Sequence, residues 1–196
     1  MRNALEVIRS LASEYLENLD HRGDEWVTLT SIINHDGALN PAVRDKIVMC
    51  VCNITRENTV GTYQPAVAGA TSYGMISPPL YLDLHLMFMA NFADAKYPTG
   101  LAALSRLISF FQANPWFDQT NAPNLDAELG RLVLEFESLS PVDVNYVMGM
   151  LGTRYFPSAF YKLRLIPFTS QTIKSRTYPV RGGGAPADKP GNQAGA

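Results

Sequence analysis

The chain has 196 residues, of which 46% are hydrophobic, enough for one globular domain with a sizeable core and an appendage. A formal net charge of −2 and a pI near 5.9 exclude a general nucleic-acid binder. Only 17% of residues are charged, against roughly 25% in an ordinary soluble domain, and a surface short of charge suits a subunit of an assembly, because interface cores are depleted in charge.

Residues 2–20 set Leu5, Ile8, Leu11, Ala12, Tyr15, Leu16 and Leu19 on one stripe, which predicts an amphipathic helix. No basic segment followed by an apolar run stands at the N-terminus, so no signal peptide is expected. Arg22-Gly23-Asp24 breaks the helix and reads as a turn rather than as an adhesion tripeptide. Trp26 to Asn34 is rich in β-formers, and His35-Asp36-Gly37 is a turn signal.

Asp45 to Glu57 predicts a strand that is apolar on both sides, hence interior to a sheet covered on both faces. It carries the two cysteines, Cys50 and Cys52, which read as small buried thiols in a reducing compartment. Neighbours at that spacing rarely close an unstrained disulfide, and no second ligand pair follows for a metal. The sequon Asn53-Ile54-Thr55 lies in the same strand and is set aside.

Asn58 to Pro78 is long, poor in charge and too apolar for a bare solvent loop. It is expected to lie against a partner subunit or to form a hairpin extension, with Val60, Tyr63, Val67, Tyr73 and Met75 as its interface residues. Next comes the central strand, Leu80 onward. Leu80, Leu82, Leu84, Leu86 and Phe88 alternate with Tyr81, Asp83, His85, Met87 and Met89, an apolar face against a mixed one.

Residues 100–113 follow as a helix, with Thr99 as a possible cap and Asn114-Pro115 as its stop. Trp116 to Asn124 reads as irregular. In the stretch after Leu125, Leu132, Leu134 and Phe136 alternate with Arg131, Val133, Glu135 and Glu137, a strand with one wetter face. Ser140-Pro141-Val142-Asp143 starts a short helix that stops at Gly152. In the last strand Tyr161, Leu163 and Leu165 alternate with Lys162, Arg164 and Ile166, and Pro167 places its end, or a sheet edge, there. Thr169 to Tyr178 could add a further strand, and the Gly-, Pro- and Ala-rich stretch after it lacks the composition for a core.

Candidate chemistry is sparse. Asp83 and His85 form a His–carboxylate pair, read as polar groups satisfied by backbone or Tyr81, because no nucleophile motif accompanies them. Glu135 and Glu137 read as solvated, and Gly182-Gly183-Gly184 lacks the residues of a phosphate loop. No catalytic, metal or cofactor site is expected. A β-capable C-terminal segment suits strand addition to a partner.

The succession of segments resembles a known family. The most specific stretches are Pro78-Pro79-Leu80-x-Leu82-Asp83-Leu84-His85 and Tyr155-x-Pro157-Ser158-x-x-Tyr161, within a likeness spanning roughly residues 3–170. The family is that of the cap, or tube-terminator, proteins of contractile injection systems, phage-tail-like particles such as the antifeeding prophage and Photorhabdus virulence cassettes.

The elements read above predict an α+β fold, a mixed, mainly antiparallel sheet flanked by helices, over residues 1–169, with which the tail-terminator resemblance is compatible, and the composition of 170–196 predicts a flexible C-terminal arm. The resemblance implies a non-enzymatic structural protein in a homo-oligomeric, hexameric ring. That ring ends the inner tube and sheath at the end distal to the baseplate and joins the two, with no nucleic acid and no membrane insertion. Assembly would take place in the bacterial cytoplasm, before incorporation into the particle. Thr172, Lys174, Arg176, Tyr178 and Val180 are the residues expected to meet the sheath protein, and the 58–78 residues named above to meet a subunit or the inner tube protein. The alternatives are a terminator of a contractile phage tail, an enzyme using His85 and Asp83, and a soluble binding module.

Overall fold

The computed structural model describes residues 1–57, 66–68, 73–76, 80–168 and 173–177. The chain divides into two units, residues 1–61 with 79–168 and residues 62–78 with 169–196.

The larger unit is built on a six-stranded sheet. Its strands are β1 (Val27–Leu29), β2 (Lys46–Arg56), β5 (Leu80–Asn91), β6 (Trp116–Phe117), β7 (Leu132–Glu137) and β8 (Ser158–Phe168), in the order β1-β2-β5-β8-β7-β6. β1 runs parallel to β2, and every other pairing is antiparallel. The helices are α1 (Arg2–Leu19), α2 (Tyr97–Ala113) and α3 (Pro141–Met150). The result is the α+β fold with a mixed, mainly antiparallel sheet flanked by helices.

β5 is central, and its period of two sorts its side chains between two cores. Leu84, Leu86, Phe88 and Ala90 join the buried faces of α1 and α2 in the larger core. Met87 and Met89 join Val48, Met148 and Phe160 in a smaller core beneath α3. Phe88 is fully buried, with ring centroids 5.1 Å from Phe111 and 5.7 Å from Tyr161. α1 buries Leu5, Ile8, Ala12 and Leu16 as its stripe requires, while Leu19 at the last turn is exposed.

Four local expectations are corrected. The β-rich run from Trp26 yields only the three residues of β1; Ile33 then bridges Leu39 across the His35-Asp36-Gly37 turn. α2 starts at Tyr97 with Pro98 in its first turn, so Thr99 lies inside the helix and is not its cap. Gly100 in that first turn lets Phe92 approach: a Cβ there would lie 2.8 Å from the Phe92 side chain. Phe136 is exposed although Leu132 and Leu134 are buried, because its position is at the open end of β7.

The fourth correction comes from a β-bulge. Leu82 pairs with Ile166 and Leu84 with Leu163, so Arg164 and Leu165 together oppose Asp83. The extra residue shifts the alternation by one, and Ile166 follows Tyr161 and Leu163 into the larger core. Pro167 pairs with Tyr81 on one side, beyond the stretch of β8 that β7 covers, so its missing N–H costs no ladder bond there.

Arg22-Gly23-Asp24 is a turn, with Gly23 at φ +73°. Arg22 is bound into the fold: its guanidinium lies 4.4 Å from the Trp26 ring centre, donates to the Asp45 carbonyl at 2.6 Å and pairs with Asp24 at 2.9 Å. That pairing holds the Asp24 carboxyl below the usual carboxylate range.

Tyr161 is buried, and desolvation pushes its phenol up to about 12. Its pKa in the folded chain lies above that of a free tyrosine, so its contribution to stability is complete below about pH 10 and is lost as pH rises toward 12. The shift corresponds to about 3 kcal/mol. Tyr161→Phe is expected to flatten the fall in urea midpoint between pH 9.5 and 11.5 relative to wild type; parallel falls in the two proteins would contradict the assignment.

The smaller unit holds a three-stranded antiparallel sheet of β3 (Ala66–Ala68), β4 (Tyr73–Ile76) and β9 (Ile173–Thr177), in the order β3-β4-β9. The 58–78 segment thus contains a hairpin, and the 169–178 segment a strand that pairs with it.

Candidate functional site

Two polar clusters on the larger unit were candidates for chemistry. Both are closed ion-pair networks. His85 Nε2 lies 3.0 Å from Thr55 Oγ1, and His85 Nδ1 lies 2.8 Å from Glu137 Oε2. The histidine therefore takes its partners from β2 and β7, not from backbone or Tyr81. Glu135 is not merely solvated either: it accepts from Arg164 at 3.0 Å. Arg164 also donates two bonds to the buried Glu57, at 2.7 and 3.0 Å. These carboxylates hold the guanidinium still more firmly protonated than an ordinary arginine. Asp83 is buried beside this network.

Such an arrangement spends its polar groups on each other. Among the described residues no group of three or more His, Cys, Asp or Glu side chains could hold a metal ion. No described helix is long and apolar enough to cross a membrane.

The feature that calls for a partner is α3. Ser140 caps it through a capping box, accepting from the Asp143 N–H at 3.3 Å while the Asp143 carboxylate accepts from the Ser140 N–H at 3.3 Å. Val144, Val147, Met148 and Leu151 pack on the smaller core. The opposite side is apolar too. Val142, Tyr146 and Met150, four residues apart, are 60%, 66% and 72% exposed, and Tyr155 beyond the helix is 66% exposed. A helix that is apolar all round is normally covered all round, and contiguous exposed apolar groups mark interaction surfaces.

A cavity opens on each flank of this ridge. One, of about 590 Å³, runs between Leu139, Met148, Thr153, Arg154 and Tyr155; the other, of about 410 Å³, between Cys52, His85, Glu137, Tyr146 and Met150. Thr153 Oγ1, at the wall of the first, is buried without a hydrogen-bond partner among the described residues. Sequence reasoning passed over this surface. Its signal was nonetheless present: between Pro141 and Leu151 the only charged residue is Asp143.

Of the residues expected at interfaces, Val67, Tyr73, Met75, Lys174 and Arg176 fall on the small sheet. Its register pairs Val67 with Gly74, Tyr73 with Thr177, Gly74 with Arg176 and Met75 with Ser175, and skips Lys174 at a bulge. Val60, Tyr63, Thr172, Tyr178 and Val180, with the Gly-rich C-terminal stretch, lie outside the described residues.

The fold is similar to that of solved tube-terminator structures. The sheath/tube terminator of an extracellular contractile injection system, PVC, in its extended state is similar to it, with a TM-score of 0.58 over 96% of this chain and 65% of that one, at 9% identity. The tube-terminating cap of the anti-feeding prophage is similar with a TM-score of 0.53, over 88% of this chain and 57% of that one, at 10% identity. The chain thus spans less than two thirds of the length of either neighbour. Comparison with curated proteins gives no match.

At sequence level the model of the Pvc16 N-terminal domain matches residues 4–182, and the chain belongs to that family.

Proposed function

We propose that this protein is a non-catalytic structural subunit of a contractile injection particle. It forms a homo-oligomeric ring, hexameric as the family resemblance implies, that ends the inner tube and sheath distal to the baseplate and couples them. The observation that carries the reading is membership of the Pvc16 N-terminal domain family over residues 4–182. The closed ion-pair networks and the charge-poor surface of α3 support a scaffold and an assembly role. Assembly takes place in the cytoplasm of the producing bacterium, before the particle is released.

The test is particle length. In a producing strain that lacks this chain, electron microscopy is expected to show tubes and sheaths of broad length distribution, many of them separated from each other. Uniform, intact particles in its absence would refute the assignment.

Two surfaces are assigned to contacts in the particle. The outer ridge of α3 meets the neighbouring copy of the chain, through a contact that closes by rotation. β9 pairs with β4 along one edge within its sheet, and its other edge receives a strand of the sheath protein. Removing residues 170–196 is expected to leave particles whose cap is lost from the sheath. A truncated cap retained on intact sheath would overturn the strand assignment.

A further inference from the structure

The sequence spacing of Cys50 and Cys52 argues against a disulfide, but the backbone around them is not a regular strand. On β2, Cys50 pairs with Met87 and Val51 with Leu86, and then Asn53 pairs with His85. Cys52 is the extra residue of a bulge. The three steps from Cys50 to Asn53 on β2 therefore occupy the length of the two steps from Met87 to His85 on β5. In a regular strand, residues i and i+2 stand about 6.6–6.8 Å apart between Cα atoms, at the far end of the roughly 4.4–6.8 Å range that a disulfide spans. Fitting three steps into the length of two compresses the strand here relative to that regular spacing.

Two further observations fit. Both cysteines are free, partly covered and turned to the same side, against the small core beneath α3. Cys52 also lines the open cavity of about 410 Å³ beside His85 and Tyr146, so a small reagent can reach it.

We propose that Cys50 and Cys52 form a reversible dithiol–disulfide site within one strand, oxidised by small-molecule disulfides of the glutathione class. Cys52 is the attacking sulfur and Cys50 the resolving one. The Cys52 sulfur beside it, with burial, pushes the Cys50 thiol up, and the neighbouring Cys50 holds the Cys52 thiol below its usual value.

The Cys52 thiolate attacks one sulfur of the reagent RSSR. The S–S bond breaks, a mixed disulfide forms on Cys52, and RS⁻ leaves and takes up a proton. Cys50 then gives up its proton and its sulfur attacks Cys52 Sγ, releasing the second RS⁻, which that proton neutralises. The two protein thiols lose two electrons in all, and one RSSR becomes two RSH. The ring closed by this spacing is small, so the bond is strained and easily reduced. Its closure locks the bulge that positions β2 under α3. The reagent enters beside Tyr146 and Met150, so the site belongs to the free chain, before the proposed α3 contact covers that flank.

The chain has two cysteines in total, which makes the assay clean. The native full-length protein is incubated with oxidised glutathione, its free thiols are trapped, and its intact mass is measured. The wild type is expected to lose both free thiols, to retain no glutathione, and to recover both thiols with dithiothreitol. Cys50→Ser is expected to hold one glutathione on Cys52, because nothing resolves it. Cys52→Ser should react at least tenfold more slowly than Cys50→Ser. A wild type that keeps a stable glutathione adduct, or that keeps both thiols while the urea-unfolded chain oxidises, overturns the site. Faster reaction of Cys52→Ser than of Cys50→Ser overturns the assignment of the attacking sulfur.

Discussion

Tyr146→Glu combined with Met150→Lys is expected to leave the fold intact and to keep the chain out of assembled particles. The two side chains are 66% and 72% exposed on the outer ridge of α3, so the isolated unit loses almost no buried area. Exposed substitutions of this kind usually change stability by less than about 0.5 kcal/mol. The new pair is spaced i,i+4 with the acid first, which favours the helix by a few tenths of a kcal/mol, and lysine near the C-terminal end suits the helix dipole. In an assembled ring the same two positions would be desolvated, and burying an ion pair in place of two apolar side chains costs about 1–4 kcal/mol at each copy.

The measurement is immunoblotting of purified particles, with urea denaturation of the free protein as a folding control. A normally folding variant that is recovered at wild-type level in particles would remove α3 from the interface. A photo-crosslinker at position 146 tests the occupant. Products of two copies of this chain are expected, and products with the tube or sheath protein alone would reassign the surface.

Phe88→Ala is expected to cost about 3–5 kcal/mol, the range for truncating a buried aromatic where the surroundings collapse only partly. Phe88 sits at the middle of β5, fully buried, with Phe111 of α2 on one side and Tyr161 of β8 on another. Its removal opens a cavity where helix and sheet meet, and the edge-on ring contact with Tyr161 is lost as well. Natural domains are stable by only about 5–15 kcal/mol, so a large part of the margin goes. Urea denaturation at pH 7 measures it. Phe136→Ala is the comparison: Phe136 is 56% exposed and its loss should cost less than about 1.5 kcal/mol. Equal effects at the two positions would contradict the central place given to β5.

Much of the fold was legible because it is local. The α1 stripe, the capping box at Ser140 and the two-faced run of β5 each rest on contacts within one helix or one strand. Periodicity and cap chemistry report such contacts directly. The candidate site was less legible. His85 was seen with Asp83, its neighbour in sequence, but its carboxylate partner Glu137 comes from a strand 52 residues away. Likewise Arg164 reaches Glu57 across 107 residues. Alternation marks which face a residue takes, and nothing in it says which strands will stand side by side.

Bulges show the same limit more sharply. One extra residue at Arg164–Leu165 brought Ile166 onto the core side with Tyr161 and Leu163, and one at Cys52 compressed the strand relative to regular geometry. A bulge is settled by the register of two strands together, so a single strand's pattern carries no trace of it. The unpartnered face of α3 lies between these cases. The apolar residues around Pro141–Met150 stood in the sequence from the start.

The sequence by itself determined the α+β class, the helix and strand segments, and the central place of Leu80–Asn91, because each follows from side-chain period and capping along one stretch of chain. The tertiary structure decided which side of α3 the small core covers and which stays open. It also decided that His85 and Arg164 take their partners from distant strands, and that Cys52, next but one to Cys50, sits in a bulge. The physical reason is common to all three: each depends on strand register and layer packing between distant segments, and only the folded chain brings those segments together.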